Sequence, residues 1–224
     1  NLTKRIETNL KQGKHIILIG PPGTGKSKLA KEIAETYVDD NYQMVTATSD
    51  WSTFDTIGGY RPNKNGNLEF SPGVFLDCFK NNHAQKSKWL IIDEINRADI
   101  DKAFGPLFSA LTGDEITLSF KDEADNYIKV VPEVKNENID VLDNIFQIKD
   151  DWRIIATMNT LDKTSLYEMS YAFMRRFAFV PVPIPEEIDE ELLENYFDKW
   201  GEDTNNTKNI VELWSTINDY RKIG

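Results

Sequence analysis

"HIILIGPPGTGKS", residues 15–27, decides how the rest of this chain is read. Its first five residues form a short apolar run rich in β-branched side chains, the pattern of a strand buried on both faces. The run passes into "GPPGTGKS", which fits G-x-x-x-x-G-K-[ST], and residues 26–38 then carry the spacing of an amphipathic helix. Average amino-acid usage would give that match by chance in roughly one chain in a hundred of this length. The strand before it and the helix after it make a phosphate-binding loop the better reading than a glycine-rich surface turn. Gly20, Gly23 and Gly25 permit backbone angles that a Cβ forbids, so successive N–H groups can converge on phosphate oxygens. Pro21, Pro22 and Thr24 complete the loop, and the helix N-terminus from Lys26 to Lys28 adds partial positive charge. Lys26 is the residue to meet the β- and γ-phosphates of a nucleotide, and Ser27 the hydroxyl to hold Mg²⁺.

A second stretch, "WLIIDEINRAD" (residues 89–99), then makes sense. Acids at the end of an apolar strand are costly unless a cation or a reacting water needs them. Asp93 at the carboxyl end of that strand suits Mg²⁺, a hard cation that prefers oxygen ligands. Glu94 is placed to polarise an attacking water, which fits a hydrolase better than a kinase. Another apolar strand, "IIATMN", ends in Asn159, a candidate for the γ-phosphate or the lytic water, although Asn at a strand end also caps turns. "FMRRF" sets Arg175 and Arg176 at the end of a helix. Compensation of the helix dipole and an arginine finger reaching a neighbouring subunit's nucleotide are equally good readings of that pair. Arg97 reads as a structural ion-pair former or a second interface cation, the former being preferred.

Between these motifs strands alternate with helices, which predicts an α/β fold with a parallel sheet. A helix is expected over residues 2–10, strands over 42–48, 152–159 and 177–182, and helices over 73–82, 102–111, 165–176, 186–200 and 208–223. Residues 50–72 suggest a structured loop or hairpin. Within 113–150, "EITLSF" and "YIKVV" flank the acidic turn "KDEADN", a hairpin inserted between core elements. Two units are expected: a nucleotide-binding domain over 1–185 and the start of a truncated helical lid over 186–224.

The net charge of −11 argues against broad electrostatic binding of nucleic acid by this segment. No run approaches the ~18 apolar residues of a membrane span, and no apolar cleavable leader opens the chain. The one cysteine, Cys78, excludes an internal disulfide or a multi-cysteine zinc site and fits a reducing, cytoplasmic setting. Cys78 reads as core, His15 and His83 show no ligand spacing, and Trp51, Phe54 and Tyr60 read as loop packing. Both ends suggest a piece of a longer protein.

Together these motifs resemble the AAA+ ATPases over roughly residues 9–185. "GPPGTGKS" looks like Walker A, "LIIDEINRAD" like Walker B, "IIATMNT" like sensor 1 and "AFMRRFAFV" like the arginine-finger helix. Within the superfamily, "DEINRA", "MNT-x-D" and the paired arginines are similar to the McrB branch of the dynein-related and MoxR-like group. The insertion over 113–150 looks like that clade's hairpin ahead of sensor 1, and residues 63–70 like a second hairpin. The resemblance implies a ring, usually a hexamer, whose sites are completed by neighbours, and favours Arg175 or Arg176 as a finger. It also implies a nuclease or other effector as partner. The branch's signature has Arg after "MNT-x-D", where this chain has Lys163, so ATP is the first expectation and GTP the alternative. Arg221 is too weak a candidate for sensor 2. A non-hydrolysing nucleotide-dependent scaffold or switch is the rival of another class.

Overall fold

The computed structural model describes residues 2–81, 84–133, 142–160, 169–185, 187–201 and 206–220. Five strands build the main sheet: β1 (His15–Gly20), β2 (Tyr42–Thr46), β3 (Trp89–Asp93), β4 (Ile154–Asn159) and β5 (Phe177–Pro181). Their order is β5-β1-β4-β3-β2, and every neighbouring pair is parallel. The centre is dry: Ile16, Ile17, Leu18, Leu90, Ile91, Ile155 and Ala156 are fully buried. Helix α1 (Leu2–Lys11) buries Ile6 and Leu10 and packs on β1 and β5, while α2 (Lys26–Val38) packs on β1, β2, β3 and β4. The α/β parallel-sheet expectation is correct. Register places Gly20 beside Asn159 and Ile92 beside Ala156, so the carboxyl ends of β1, β3 and β4 meet.

Outside this sheet, among the described residues, stand a two-residue pairing of Lys80–Asn81 with Ala84–Gln85 and two longer hairpins. Gly58–Pro62 pairs antiparallel with Leu68–Pro72 after the short helix α3 (Thr53–Thr56). Ile116–Lys121 pairs antiparallel with Tyr127–Pro132, and Asp122 closes their turn by accepting from the Ala124 and Asn126 amides. A third strand, Ile145–Ile148, runs parallel to Tyr127–Pro132 and was not foreseen. Tyr60, Phe70, Phe120 and Phe146 join the hairpins through ring contacts of 5.2–6.5 Å. Trp51 is buried against Phe104, and Phe54 stacks under Arg61, so these aromatics do pack the loops.

Two helices differ from expectation. The described residues of 73–82 hold a 3₁₀ turn, Leu76–Cys78, and a two-residue strand, Lys80–Asn81, in place of a helix. Phe75, Leu76, Cys78 and Phe79 are all fully buried at a spacing that would suit one helical face, so local period alone reads as a helix. The Cys78 and Phe79 carbonyls instead accept from Lys88 and Lys86 across the chain. Over 102–111, helix α4 (Ile100–Phe104) gives way at Gly105–Pro106 to 3₁₀ turns, since proline has no N–H for the helical ladder. Of the helix expected at 165–176, the described residues form only the short α5 (Tyr171–Met174), which starts at its N-cap Ser170; residues 165–168 lie outside the described residues. Helices α6 (Glu190–Trp200), capped by Asp189, and α7 (Thr207–Tyr220) pack on each other. His83, Lys163 and Arg221 lie outside the described residues. No described helix is long and apolar enough to cross a membrane.

His15 has a structural role. Its Nδ1 accepts from the Ile154 amide at 3.0 Å, and Trp152 and Phe177 pack against the ring. Burial, then Arg153, Arg176 and Lys14, push its pKa down to about 3. The unfolded chain takes up a proton near pH 6.5 and the folded chain does not, so stability is full above that pH and falls towards pH 3. Between pH 7 and 5 this residue is expected to remove about 2 kcal/mol. His15→Asn, which keeps an acceptor for Ile154, should flatten that part of a denaturant-melt series; an unchanged slope would refute the assignment.

Candidate nucleotide site

The loop leaving β1 is shaped by close approach. A Cβ at Gly20 would lie 2.2 Å from the Val182 carbonyl oxygen, and Val182 N–H in turn donates to Ile19. Gly23 and Gly25 have φ of 86° and 75°, the left-handed region that glycine enters without strain. Gly25 caps α2, so the loop ends with its amides at a helix N-terminus. Lys26 is buried, and its Nζ donates to the Gly20 and Pro21 carbonyls at 3.0 and 2.6 Å. Burial pulls its pKa down, while Asp93 and Glu94 push it back up. Thr24 Oγ1 donates to the Pro21 carbonyl at 3.0 Å.

The acids ending β3 face this loop. Asp93 Oδ1 accepts from Ser27 Oγ at 2.7 Å and from Thr157 Oγ1 at 2.6 Å. Thr157 also accepts from the Glu94 amide at 3.0 Å, so one hydroxyl fixes both acids. Glu94 Oε1 accepts from Asn159 Nδ2 at 3.1 Å, and its Oε2 pairs with Arg97 at 2.8 Å. Pro22, Gly23, Gly25, Lys26, Ser27, Lys28, Asp93, Glu94, Thr157 and Asn159 line one cleft of about 350 Å³.

The structure therefore brings together loop, acids and Asn159. The two arginines stand elsewhere, at the amino end of β5. Arg176 is buried, donating from Nε to the Phe108 carbonyl at 2.6 Å and from Nη1 to the Ala172 carbonyl, with its guanidinium over the Phe108 ring. Arg175 is exposed; its backbone amide donates to the Tyr171 carbonyl and its carbonyl accepts from Lys14 Nζ. Asp101 accepts from both the amide and hydroxyl of Ser170, the N-cap of α5, tying α4 to the helix that ends in Arg175.

Sequence reading missed Thr157. Its signal was a hydroxyl, 1% exposed, inside an otherwise apolar strand. Arg97, read as an ion-pair former, does form one, but its partner is Glu94.

A phosphate loop, a Ser–Asp pair and a Glu–Asn pair at the carboxyl end of a parallel sheet define the P-loop NTPase class of fold. The sequence pattern of the AAA domain (dynein-related subfamily) matches residues 15–177, and the chain belongs to that family. It is 34% identical over 186 residues to the type IV methyl-directed restriction enzyme EcoKMcrB subunit of Escherichia coli K12, covering 79% of this chain and 38% of that protein. It is also 34% identical over 121 residues to a mitochondrial Lon protease homologue of Debaryomyces hansenii, covering 53% of this chain and 10% of that one. The chain thus spans well under half the length of both relatives. A crystal structure from Cytophaga hutchinsonii, of a protein assigned as an ATPase, superposes with a TM-score of 0.53 at 19% identity, covering 94% of this chain and 56% of that one. At that identity the likeness is one of fold.

Proposed function

We propose that this chain binds and hydrolyses a nucleoside triphosphate with Mg²⁺, in a ring whose sites are shared between neighbouring copies. The observation that carries the reading is the Ser27–Asp93–Thr157 and Glu94–Asn159 hydrogen-bond set facing the phosphate loop. Ser27 Oγ and Asp93 Oδ1, two hard oxygens 2.7 Å apart, fit Mg²⁺ and would hold it directly or through water. When bound, Mg²⁺ neutralises charge on the β- and γ-phosphates. Lys26 and the loop amides hold those phosphates, Asn159 donates to the terminal one, and Glu94 orients the attacking water.

Strand polarity supports sharing. His15 pairs with Phe177, so Arg175 sits at the amino end of β1, and five strand steps to Gly20 separate it from its own loop by roughly 17 Å. It can serve only another copy. Lys14, Lys149, Arg153 and Arg175 line a cleft at that end, a cationic surface in an acidic chain. Arg175 is therefore the finger in this reading and Arg176 its structural support. Residues 186–224, with the pair α6 and α7, are the start of a helical lid. ATP is the preferred nucleotide and GTP the alternative. Similarity to the restriction subunit suggests that the module drives a restriction or remodelling complex with a nuclease or other effector.

The test is phosphate release with ATP and with GTP across a protein concentration series. Glu94→Gln is expected to bind nucleotide and turn over at least about a hundredfold more slowly. Normal turnover in that variant would place the base elsewhere. Specific activity should rise with concentration; a flat series with full activity would refute shared sites.

A further inference from the structure

Arg175 is exposed, so the direction of its side chain is set by the backbone that carries it. That backbone is a single helical turn. Helix α5 spans four residues, Tyr171–Met174, and of these only Phe173 is buried. One turn of helix does not hold together by its own ladder. Its placement has to come from its neighbours.

Two of those neighbours lie on the segment that begins with α4. At the start of α5, Asp101 Oδ2 accepts from the Ser170 amide at 3.0 Å and Oδ1 from the Ser170 hydroxyl at 2.5 Å. At its end, the Phe108 carbonyl accepts from Arg176 Nε, and the Phe108 ring lies 5.8 Å from that of Phe173. The first contact is more than a cap. Ser170 Oγ already caps α5 by accepting from the Phe173 amide at 3.2 Å. The carboxylate belongs to another element, and its two charge-assisted bonds fix where α5 starts relative to α4. Its carrier is firm: Ile100, Ala103 and Phe104 of α4 are buried, and the Ala103 carbonyl accepts from Thr56 Oγ1.

We propose that Asp101 is a positioning residue for the arginine that one copy lends to the next. By holding Ser170 from the core, it sets the angle at which α5 leaves, and so the place where the Arg175 guanidinium arrives at the far end of the turn. A guanidinium stabilises a transferring phosphoryl group only at close range, and a drift of about an ångström is enough to lose much of the rate. Asp101 does not line the nucleotide cleft, so its effect falls on turnover and not on binding. The inference rests on the reading of Arg175 as the finger.

Phosphate release by mixed protomers tests it, with nucleotide affinity and melting temperature measured alongside. Asp101→Ala is expected to turn over about ten- to a hundredfold more slowly at unchanged nucleotide affinity. Asp101→Asn, whose amide can accept from the Ser170 N–H and donate to its hydroxyl, is expected to restore the rate to within about threefold of wild type. Asp101→Ala protomers keep Glu94 and misplace the finger. Adding Glu94→Gln protomers, whose fingers are intact, should therefore raise activity severalfold above the sum of the parts. A residue that only supported the fold, or acted on its own copy's site, would give no such recovery. A wild-type rate for Asp101→Ala overturns the proposal, and so does a failure to recover on mixing where Arg175→Ala does recover with Glu94→Gln. If that reference pair also stays inactive, the finger reading itself fails, and this inference with it. Should Asp101→Ala not fold, Ser170→Ala, which removes the hydroxyl bond and keeps the amide bond, decides by the same mixing.

Discussion

Lys26→Ala is expected to weaken nucleotide binding by about 10²- to 10³-fold, the range for deleting one member of a desolvated charge pair. The argument starts from where the ammonium is. It is buried between the loop and two acids; burial lowers its pKa, and Asp93 and Glu94 offset that only in part. The Gly20 and Pro21 carbonyls hold it at the base of the loop, within a side-chain rotation of the cleft that Ser27 and Asn159 line. Phosphate oxygens are stronger acceptors for an ammonium than neutral carbonyls, so binding exchanges weaker bonds for stronger ones. Calorimetric titration with ATP and GTP measures the loss. Wild-type affinity in the variant would remove the phosphate-loop assignment.

Arg175→Ala is expected to leave binding intact and depress turnover of the assembled protein by about 10³-fold, as for other arginines that meet a transferring phosphoryl group from a neighbour. Arg176→Ala is expected to act differently. Its guanidinium is buried against the Phe108 and Ala172 carbonyls, so its loss should lower stability by about 2 kcal/mol. Mixing separates the two positions. Glu94→Gln protomers retain the finger and lack the base; Arg175→Ala protomers retain the base and lack the finger. An equimolar mixture of two nearly inactive proteins should recover activity wherever an intact finger enters an intact site. A mixture no more active than its parts would show that Arg175 does not act across an interface.

The sequence made the core of the site legible because its geometry is local. Residues 20–27 determine their own backbone path through glycine placement and a fixed strand–helix context, and the Asp93–Glu94 pair breaks an apolar run that needed a reason to end. Long-range contacts were not legible. Nothing in "IIATMN" says that the Thr157 hydroxyl will bridge Asp93 and Glu94, because that contact depends on the register of β4 against β3. Nor does "DEINRA" say that Arg97 turns back onto Glu94, since a left-handed residue at Glu94 is not a common choice of sequence. The helix expected at 73–82 failed although its apolar residues keep a helical spacing, because the Cys78 and Phe79 carbonyls accept from Lys88 and Lys86 rather than from a next helical turn. The third strand of the insertion, Ile145–Ile148, pairs in parallel, which needs a crossover that short-range turn signals do not announce.

The five strand steps between Arg175 and the phosphate loop also make the assembly countable. In the proposed shared-site assembly each chain offers a finger at one end of β1 and needs one at the other, so copies joined head to tail in an open line of n would complete only n − 1 sites. Closing the line supplies the last, so the first protomer completes no site, each later one completes one, and the protomer that closes the ring completes two. Turnover per chain is then a direct reading of closure, with a step at the last addition that needs no separate sensor.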